Sequence, residues 1–138
     1  TLSECRRVLK STGTLSVVLN HPAFRIPKAS SWVYDAMNRV QYRRIDAYLS
    51  ESKVKIAMHP GAQHQSSGAG YTISFHRPLQ YYMKLLHTAG FAVTRLEEWN
   101  SHKHSVGAKA KAENEARKQI PLFLYLEGVI LAPEQKVA

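Results

Sequence analysis

The chain has 138 residues, of which 44% are hydrophobic, and it carries a formal net charge of +9. This length and composition fit one domain with a hydrophobic core, and the longest apolar runs are far too short to span a bilayer. The single cysteine, Cys5, excludes an intrachain disulfide. A signal peptide has a positively charged start followed by an apolar run, and we do not find this pattern in the sequence. We therefore expect a cytoplasmic protein without a membrane partner.

The positive charge is spread along the chain rather than gathered in one run. Short basic clusters lie at residues 6–7, 43–44 and 109–111, and no run of five like charges occurs. A scattered excess is more typical of solubility than of nucleic-acid binding, which stays a minor alternative. The histidines lack neighbouring cysteines or carboxylates at metal-site spacing, so we predict no metal site.

The first elements are a helix and a strand. An amphipathic pattern predicts a helix that ends at Gly13. Residues 14–19 are β-branched and apolar, which predicts a strand buried on both faces of a helix-flanked sheet. This strand runs directly into Asn20, His21 and Pro22. Ligands bind beyond the carboxyl ends of strands in open α/β sheets, so the tripeptide could border a binding site. It could equally be a strand-to-loop transition with nothing bound.

A long excursion follows over residues 20–41. Ser30 and Ser31 could cap a short helix there, and residues 41–49 favour a strand. Excursions of this length in compact domains are usually lids or binding segments, although a packed surface loop is the alternative.

The rest of the chain predicts a hairpin and then alternating helices and strands. Residues 53–58 and 71–75 alternate between apolar and polar, which predicts an antiparallel hairpin across a mobile loop at 60–70. The later predicted elements are a helix, a strand, a helix and a strand, at residues 77–90, 91–99, 108–119 and 122–126.

Three stretches of the sequence resemble a known family: ECRRVLKSTGTLSVVLNHP, FHRPLQYYMKLLHTAGFAVTRLEEW and ARKQIPLFLYLEG. Their order resembles the C-terminal half of class I S-adenosylmethionine-dependent methyltransferases, and most closely the ubiquinone-methyltransferase-like group of small-molecule enzymes. The resemblance implies an α/β fold. It consists of a partial Rossmann-like methyltransferase sheet, made of the family's strands 5, 7 and 6, with flanking helices and an inserted antiparallel hairpin. The implied domain covers residues 1–128, with a lid insert at about 20–76 and a tail at 129–138.

The sequence departs from the family pattern on the cofactor side. The family binds its cofactor with a glycine-rich turn after the first strand and an acidic residue that ends the second. No G-x-G-x-x-G or similar turn occurs here. The resemblance implies S-adenosylmethionine as cofactor, but it transfers no cofactor-binding residue to this sequence. The chain could be half of an enzyme whose N-terminal half is a partner, a split or truncated gene product, or a domain with a new use. We expect the chain alone to be inactive and not to bind S-adenosylmethionine.

The resemblance does imply substrate-side residues. In the family, the end of the fifth strand and the loop after it face the acceptor substrate, and the insert forms part of the lid. The matching positions, which we predict to bind a small-molecule substrate, are Asn20, His21, Pro22, Phe24, Trp32, Tyr42, Tyr48, His76 and Arg77. His21 is also a weak candidate for a general base, because an imidazole can take a proton from a hydroxyl near neutral pH. The alternative is that His21 only hydrogen-bonds a loop carbonyl.

A sheet made of strands 5, 7 and 6 leaves residues 14–19 as an apolar edge strand. Such an edge pairs with another chain unless it is covered. We therefore predict an obligate homo-oligomer, most simply a two-fold dimer, that forms through this strand. Two other functions stay open. One is a stand-alone oligomeric module that binds a small ligand near Phe24, Trp32 and His76 without catalysis, and the other is a basic nucleic-acid-binding protein.

Overall fold

A computed structural model describes residues 1–57 and 70–131. The helices and strands of these two ranges are α1 (Leu2–Val8), β1 (Thr14–Asn20), β2 (Ser30–Asp35), β3 (Val40–Ile45), β4 (Ser52–Ala57), β5 (Tyr71–His76), α2 (Leu79–Thr88), β6 (Phe91–Trp99), α3 (Ala110–Gln119) and β7 (Phe123–Ile130). The strands form a central sheet of three and two separate hairpins. Within the described ranges, every helix is too short or too polar to cross a membrane.

The central sheet has the strand order β1-β7-β6, and β7 is antiparallel to both neighbours. β1 and β6 therefore run in the same direction, so their last residues, Asn20 and Trp99, both pair with Phe123. Two backbone hydrogen bonds of 2.9 Å continue the ladder, from His21 N–H to the Leu122 carbonyl and from Leu122 N–H to the Trp99 carbonyl. This is the predicted 5-7-6 edge of a methyltransferase sheet, and it confirms the predicted α/β fold class.

The hydrophobic core lies on one face of the central sheet. Leu124 and Leu126 of β7 point to this face because alternate residues of a strand share a side. They are buried against Leu86 of α2 and Phe91 of β6. Among the half-buried side chains that pack against this cluster are those of α1, of the residue after it and of β1: Leu2, Cys5, Leu9, Leu15 and Leu19.

The prediction that residues 14–19 are buried on both faces is wrong. Exposure alternates along β1, with Leu15, Val17 and Leu19 half-buried on the core side. On the other face, Val18 is 56% exposed. The reason is that the core cluster packs on one face only. Among the described residues, moreover, β7 is the one strand that pairs with β1.

The prediction of a short helix after Ser30 and Ser31 is also wrong, because β2 occupies these residues. β2 pairs with β3 from Ser30 opposite Ile45 to Asp35 opposite Val40. β3 confirms the strand predicted over 41–49 only as far as residue 45. The aromatic and β-branched run of β2 suits a strand, and the Asp35 carboxylate closes the turn by accepting two backbone hydrogen bonds.

The one predicted hairpin, over residues 53–58 and 71–75, is confirmed. β4 pairs antiparallel with β5 from Ser52 opposite His76 to Ala57 opposite Tyr71. The insert therefore contains two hairpins rather than the one that was predicted. The loop predicted at 60–70 lies, apart from residue 70, outside the described residues.

The last elements agree with the predictions except at the end of the chain. α2 begins directly after Pro78 and is followed by Gly90, whose φ of 80° is a backbone conformation that favours glycine. β6 and α3 form where they were predicted. β7 extends to Ile130, so residues 129 and 130 belong to the sheet and not to the predicted tail. Residues 132–138 lie outside the described ranges.

Candidate functional site

A cavity of about 320 Å³ lies at the carboxyl end of β1. We call it the strand-end cavity. Asn20 at the end of β1 and Pro22 in the following loop line one part of it. His76 at the end of β5 and Arg77 line another. The fold therefore brings together four of the predicted substrate-side residues. More than fifty sequence positions separate the pair Asn20 and Pro22 from the pair His76 and Arg77.

His76 has one ring nitrogen available for a ligand. Its side chain is 3% exposed, and Nε2 lies 2.7 Å from the backbone oxygen of Tyr48. A carbonyl oxygen only accepts hydrogen bonds, so Nε2 carries the hydrogen and Nδ1 keeps a lone pair. Among the described residues, Nδ1 has no hydrogen-bond partner. Every buried side-chain nitrogen or oxygen of these residues that is sealed from solvent does have one. Nδ1, without a partner within the described ranges, belongs to a side chain that lines the strand-end cavity.

Arg77 and Tyr82 add a cation and a hydroxyl to this cavity. Nε of Arg77 forms an ion pair of 2.8 Å with Glu51, and Nη1 donates to the His76 carbonyl at 2.7 Å. These contacts fix the guanidinium beside the cavity. Burial raises the pKa of the Tyr82 hydroxyl, although the charge of Arg77 opposes this effect. Tyr82 is therefore protonated at neutral pH and can donate a hydrogen bond.

His21 is buried in the adjoining loop and does not line the strand-end cavity. It is 4% exposed, and Nε2 lies 2.8 Å from Oε1 of Glu98. Nδ1 accepts the backbone N–H groups of Ala23 at 3.1 Å and Phe24 at 3.2 Å. A general-base role would require Nδ1 to give up both bonds. The geometry therefore favours the alternative of a purely hydrogen-bonded histidine, with two N–H groups and a carboxylate as partners instead of a loop carbonyl.

The other predicted residues lie around the site rather than in one place. The ring of Phe24 lies 4.8 Å from that of His21, centroid to centroid. Tyr48 supports the site from behind, because its hydroxyl accepts the N–H of Leu79 while its carbonyl holds His76. Trp32 lines a separate cavity, described below. Tyr42 is exposed on β3 and lines neither cavity.

Sequence reasoning missed Arg25, Tyr82 and Glu98. Arg25 lies three residues after Pro22 and lines the same cavity, so its place in the stretch HPAFR was an available signal. Glu98 is separated from its partner His21 by 77 positions. Only the sheet topology brings these two residues together, and no local pattern predicts it.

An open groove of about 700 Å³ lies on the exposed face of the central sheet. Val18, Trp99 and Phe123 line it, together with residues of the loop after β6. None of the predicted site residues lines it. The groove marks the face of the sheet opposite the core.

Among the described residues, no glycine-rich turn follows the carboxyl end of a strand. Gly107 is the one described glycine between the carboxyl end of a strand and a helix, and a Cβ there would meet nothing within 4 Å. The φ of Gly107, 99°, is a backbone conformation that favours glycine. The carboxylates at the end of β6 are engaged, Glu98 by His21 and Glu97 by Arg95 and Trp99. Within the same residues, no group of three histidine, cysteine or acidic side chains could hold a metal ion.

No protein-family model matches the sequence, and no curated protein matches it. Solved structures do share its fold. One is a protein from Listeria monocytogenes that is provisionally described as an S-adenosylmethionine-dependent methyltransferase. It has a TM-score of 0.68 and 18% identity, and the match covers 95% of this chain and 53% of that one.

A second similar structure is an S-adenosylmethionine-dependent methyltransferase from Mesorhizobium loti. Its TM-score is 0.60 and its identity 22%, and the match covers 93% of this chain and 53% of that one. The chain therefore spans about half the length of both proteins and shares their fold over that half.

Proposed function

We propose that this chain is the C-terminal, substrate-side portion of an S-adenosylmethionine-dependent methyltransferase that acts on a small molecule. The observation that carries the proposal is the β1-β7-β6 sheet with its helices, which matches methyltransferase structures over 95% and 93% of the chain. The three quoted sequence stretches support the C-terminal position and the ubiquinone-methyltransferase-like group. S-adenosylmethionine supplies the methyl group when it is bound, and we assign its contacts to the family's N-terminal half.

In this proposal the strand-end cavity holds the methyl acceptor. Nδ1 of His76 is the accessible lone pair there, so it accepts the proton that the acceptor hydroxyl or amine loses. The Tyr82 hydroxyl and the Asn20 amide orient the acceptor by hydrogen bonds. Such positioning is a large part of catalysis when two molecules must be held in line.

The first experiment is a calorimetric titration with S-adenosylhomocysteine, on the chain alone and on the chain combined with the family's cofactor-binding half. We expect no heat from the chain alone, and micromolar binding with methyl transfer from the combined protein. Binding by the chain alone would contradict our assignment of the cofactor contacts. Absence of both binding and transfer in a folded combined protein would contradict the proposed function.

A substitution then tests the acceptor site. In the combined protein, His76→Gln keeps a donor for the Tyr48 carbonyl but removes the lone pair of Nδ1. We expect turnover to fall about a hundredfold, while binding of S-adenosylhomocysteine stays unchanged. Lys84→Gln, an exposed change on α2, is the matched control and should leave turnover unchanged. Equal turnover of the two variants would exclude His76 as the base.

A second candidate is an oligomeric module that binds a small ligand without catalysis. One observation favours it: described residues line the strand-end cavity, while no glycine-rich turn follows a strand among them. A thermal-shift screen of small aromatic and lipid-like molecules tests this function. Ligands that raise the melting temperature of the wild-type chain but not that of His76→Gln would support this function. The function also requires that the chain forms no cofactor site with any partner half.

A further inference from the structure

A second cavity, of about 350 Å³, lies beside the strand-end cavity and is rich in positive charge. We call it the basic cavity. Its lining contains four cations and two aromatic walls, namely Arg25, Arg43, Lys103, Arg117, Trp32 and Phe123. No acidic side chain is part of this lining. We propose that the basic cavity binds the carboxylate or phosphate group of a small organic anion.

Two of the arginines are held in place by aromatic rings. The guanidinium carbon of Arg43 lies 5.1 Å from the ring centroid of Trp32, and that of Arg25 lies 5.0 Å from the centroid of Phe123. Arg43 is also anchored because its Nε donates to the Phe24 carbonyl at 2.7 Å. A guanidinium stacked on a ring keeps its N–H groups at its edge, where they match the paired oxygens of a carboxylate or phosphate.

The charges of this cavity are poorly compensated by the protein. Among the described residues, Arg25, Arg43 and Lys103 form no salt bridge, while Arg117 has its nearest carboxylate oxygen, of Glu113, at 3.8 Å. Burial lowers the pKa of Arg43, and the nearby charge of Arg25 lowers it further. Like charges held together without a counter-ion repel each other, so an oxyanion bound between them would stabilise the arrangement.

The walls of the basic cavity indicate an organic anion rather than a bare ion. Trp32, Phe123 and Leu122 offer apolar surface that an inorganic ion could not use. Arg25 lines both cavities, so one molecule could place its anionic group here and another part in the strand-end cavity. That last assignment rests on the proposed methyl transfer, whereas anion binding itself does not.

The test is calorimetric titration of the whole chain at low ionic strength with phenyl phosphate, benzoate, phenol and inorganic phosphate. We expect phenyl phosphate or benzoate to bind, and phenol and inorganic phosphate to bind about tenfold more weakly or not at all. If phenyl phosphate binds more tightly than benzoate, the group that the cavity recognises is a phosphate. If benzoate binds more tightly, it is a carboxylate. Phenol or inorganic phosphate that binds as tightly as the stronger aromatic anion, or the absence of binding by both aromatic anions, would overturn the proposal.

Two arginine variants locate the site. Arg25→Gln should weaken the better probe about tenfold. Arg44→Gln is the matched control, because Arg44 is exposed on β3 next to Arg43 and pairs with Asp46. The proposal fails if Arg25→Gln binds normally while folded, as judged by circular dichroism, or if Arg44→Gln loses as much affinity.

The remaining outcomes separate this proposal from its alternatives. Tighter binding of a single-stranded oligonucleotide than of phenyl phosphate, with steep salt dependence and equal sensitivity to Arg25→Gln and Arg44→Gln, would replace it with nucleic-acid binding. Methyl transfer that fails although phenyl phosphate or benzoate binds would overturn only the proposed function. Methyl transfer by a protein that binds none of the probes would overturn only the anion site.

Discussion

Nε2 of His21 lies 2.8 Å from Oε1 of Glu98, and this contact joins the carboxyl ends of β1 and β6 across β7. The other ring nitrogen of His21 holds the N–H groups of Ala23 and Phe24. One buried ring therefore links the ends of the two outer strands and fixes the direction in which the chain leaves β1. The position of Arg25 at the two cavities depends on that direction.

We expect His21→Ala to lower the free energy of unfolding by about 2–4 kcal/mol. The substitution leaves two backbone N–H groups and the Glu98 carboxylate without their partner, and it opens a void. Glu98→Gln keeps an acceptor for Nε2 and should cost about 1 kcal/mol or less. Urea unfolding of the three proteins measures these differences. A His21→Ala variant as stable as the wild type would contradict the structural role of this ring.

A second prediction concerns the turn between β2 and β3 and its dependence on pH. The side-chain amide of Asn38 and the backbone N–H groups of Asn38 and Met37 donate to Asp35 and lower the pKa of its carboxyl below the ordinary 3.8. The ionised form therefore favours the folded turn. Its stabilisation is fully present above the ordinary value and is lost as the pH falls through the lower, folded value.

Asp35→Asn removes this effect. The difference in melting temperature between wild type and variant should therefore shrink between about pH 6 and about pH 2. Glu115→Gln, a change on α3 away from the turn, is the control. Its melting temperature should differ little from that of the wild type, and this difference should not shrink in the same way as the pH falls. A difference for Asp35→Asn that stays constant across this range would refute the assignment.

Local patterns were enough to predict most of the elements. The alternation of residues 53–58 and 71–75 predicts the β4–β5 hairpin, although in β5 the apolar side is the exposed one, with Ile73 46% and Phe75 55% exposed. Pro78 and Gly90 mark the ends of α2, since proline suits the start of a helix and glycine suits the positive φ that ends it. The quoted resemblance predicts the order of the central sheet.

Contacts over long distances in the sequence could not be predicted in this way. Two serines before Trp32 resemble a helix cap, but pairing with β3 decides in favour of a strand. The apolar run at 14–19 indicates burial on both faces, yet burial depends on what covers each face, and Val18 is exposed. The same limit applies to the site. Glu98 acquires its role from sheet topology, which no spacing in the sequence expresses.

The turn between α2 and β6 provides a third prediction. Gly90 has φ of 80°, and a Cβ added there would overlap the end of the Arg6 side chain. Gly107 has φ of 99° with no atom within 4 Å of an added Cβ. Each glycine-to-alanine change should therefore cost about 1–3 kcal/mol from backbone strain.

The end of the Arg6 side chain is flexible and can move aside. Gly90→Ala should therefore lower the free energy of unfolding only slightly more than Gly107→Ala does. Denaturant unfolding of both variants measures the comparison. A neutral Gly90→Ala would mean that this turn is not strained for other residues.

The last prediction follows from the exposed edge and face of β1. We propose that the chain forms a homo-oligomer, most simply a two-fold dimer, through residues 14–19. Among the described residues, β1 pairs with β7 on one side and with no strand on the other, and Val18 presents an apolar side chain to solvent.

Sedimentation at micromolar concentration should show a dimer. Val18→Lys should shift it toward the monomer, because a charge on an edge strand opposes pairing with another strand. Val106→Lys, at a loop residue that is 95% exposed, should leave the dimer intact. A wild-type monomer at that concentration, or equal effects of the two lysines, would show that β1 is not the interface.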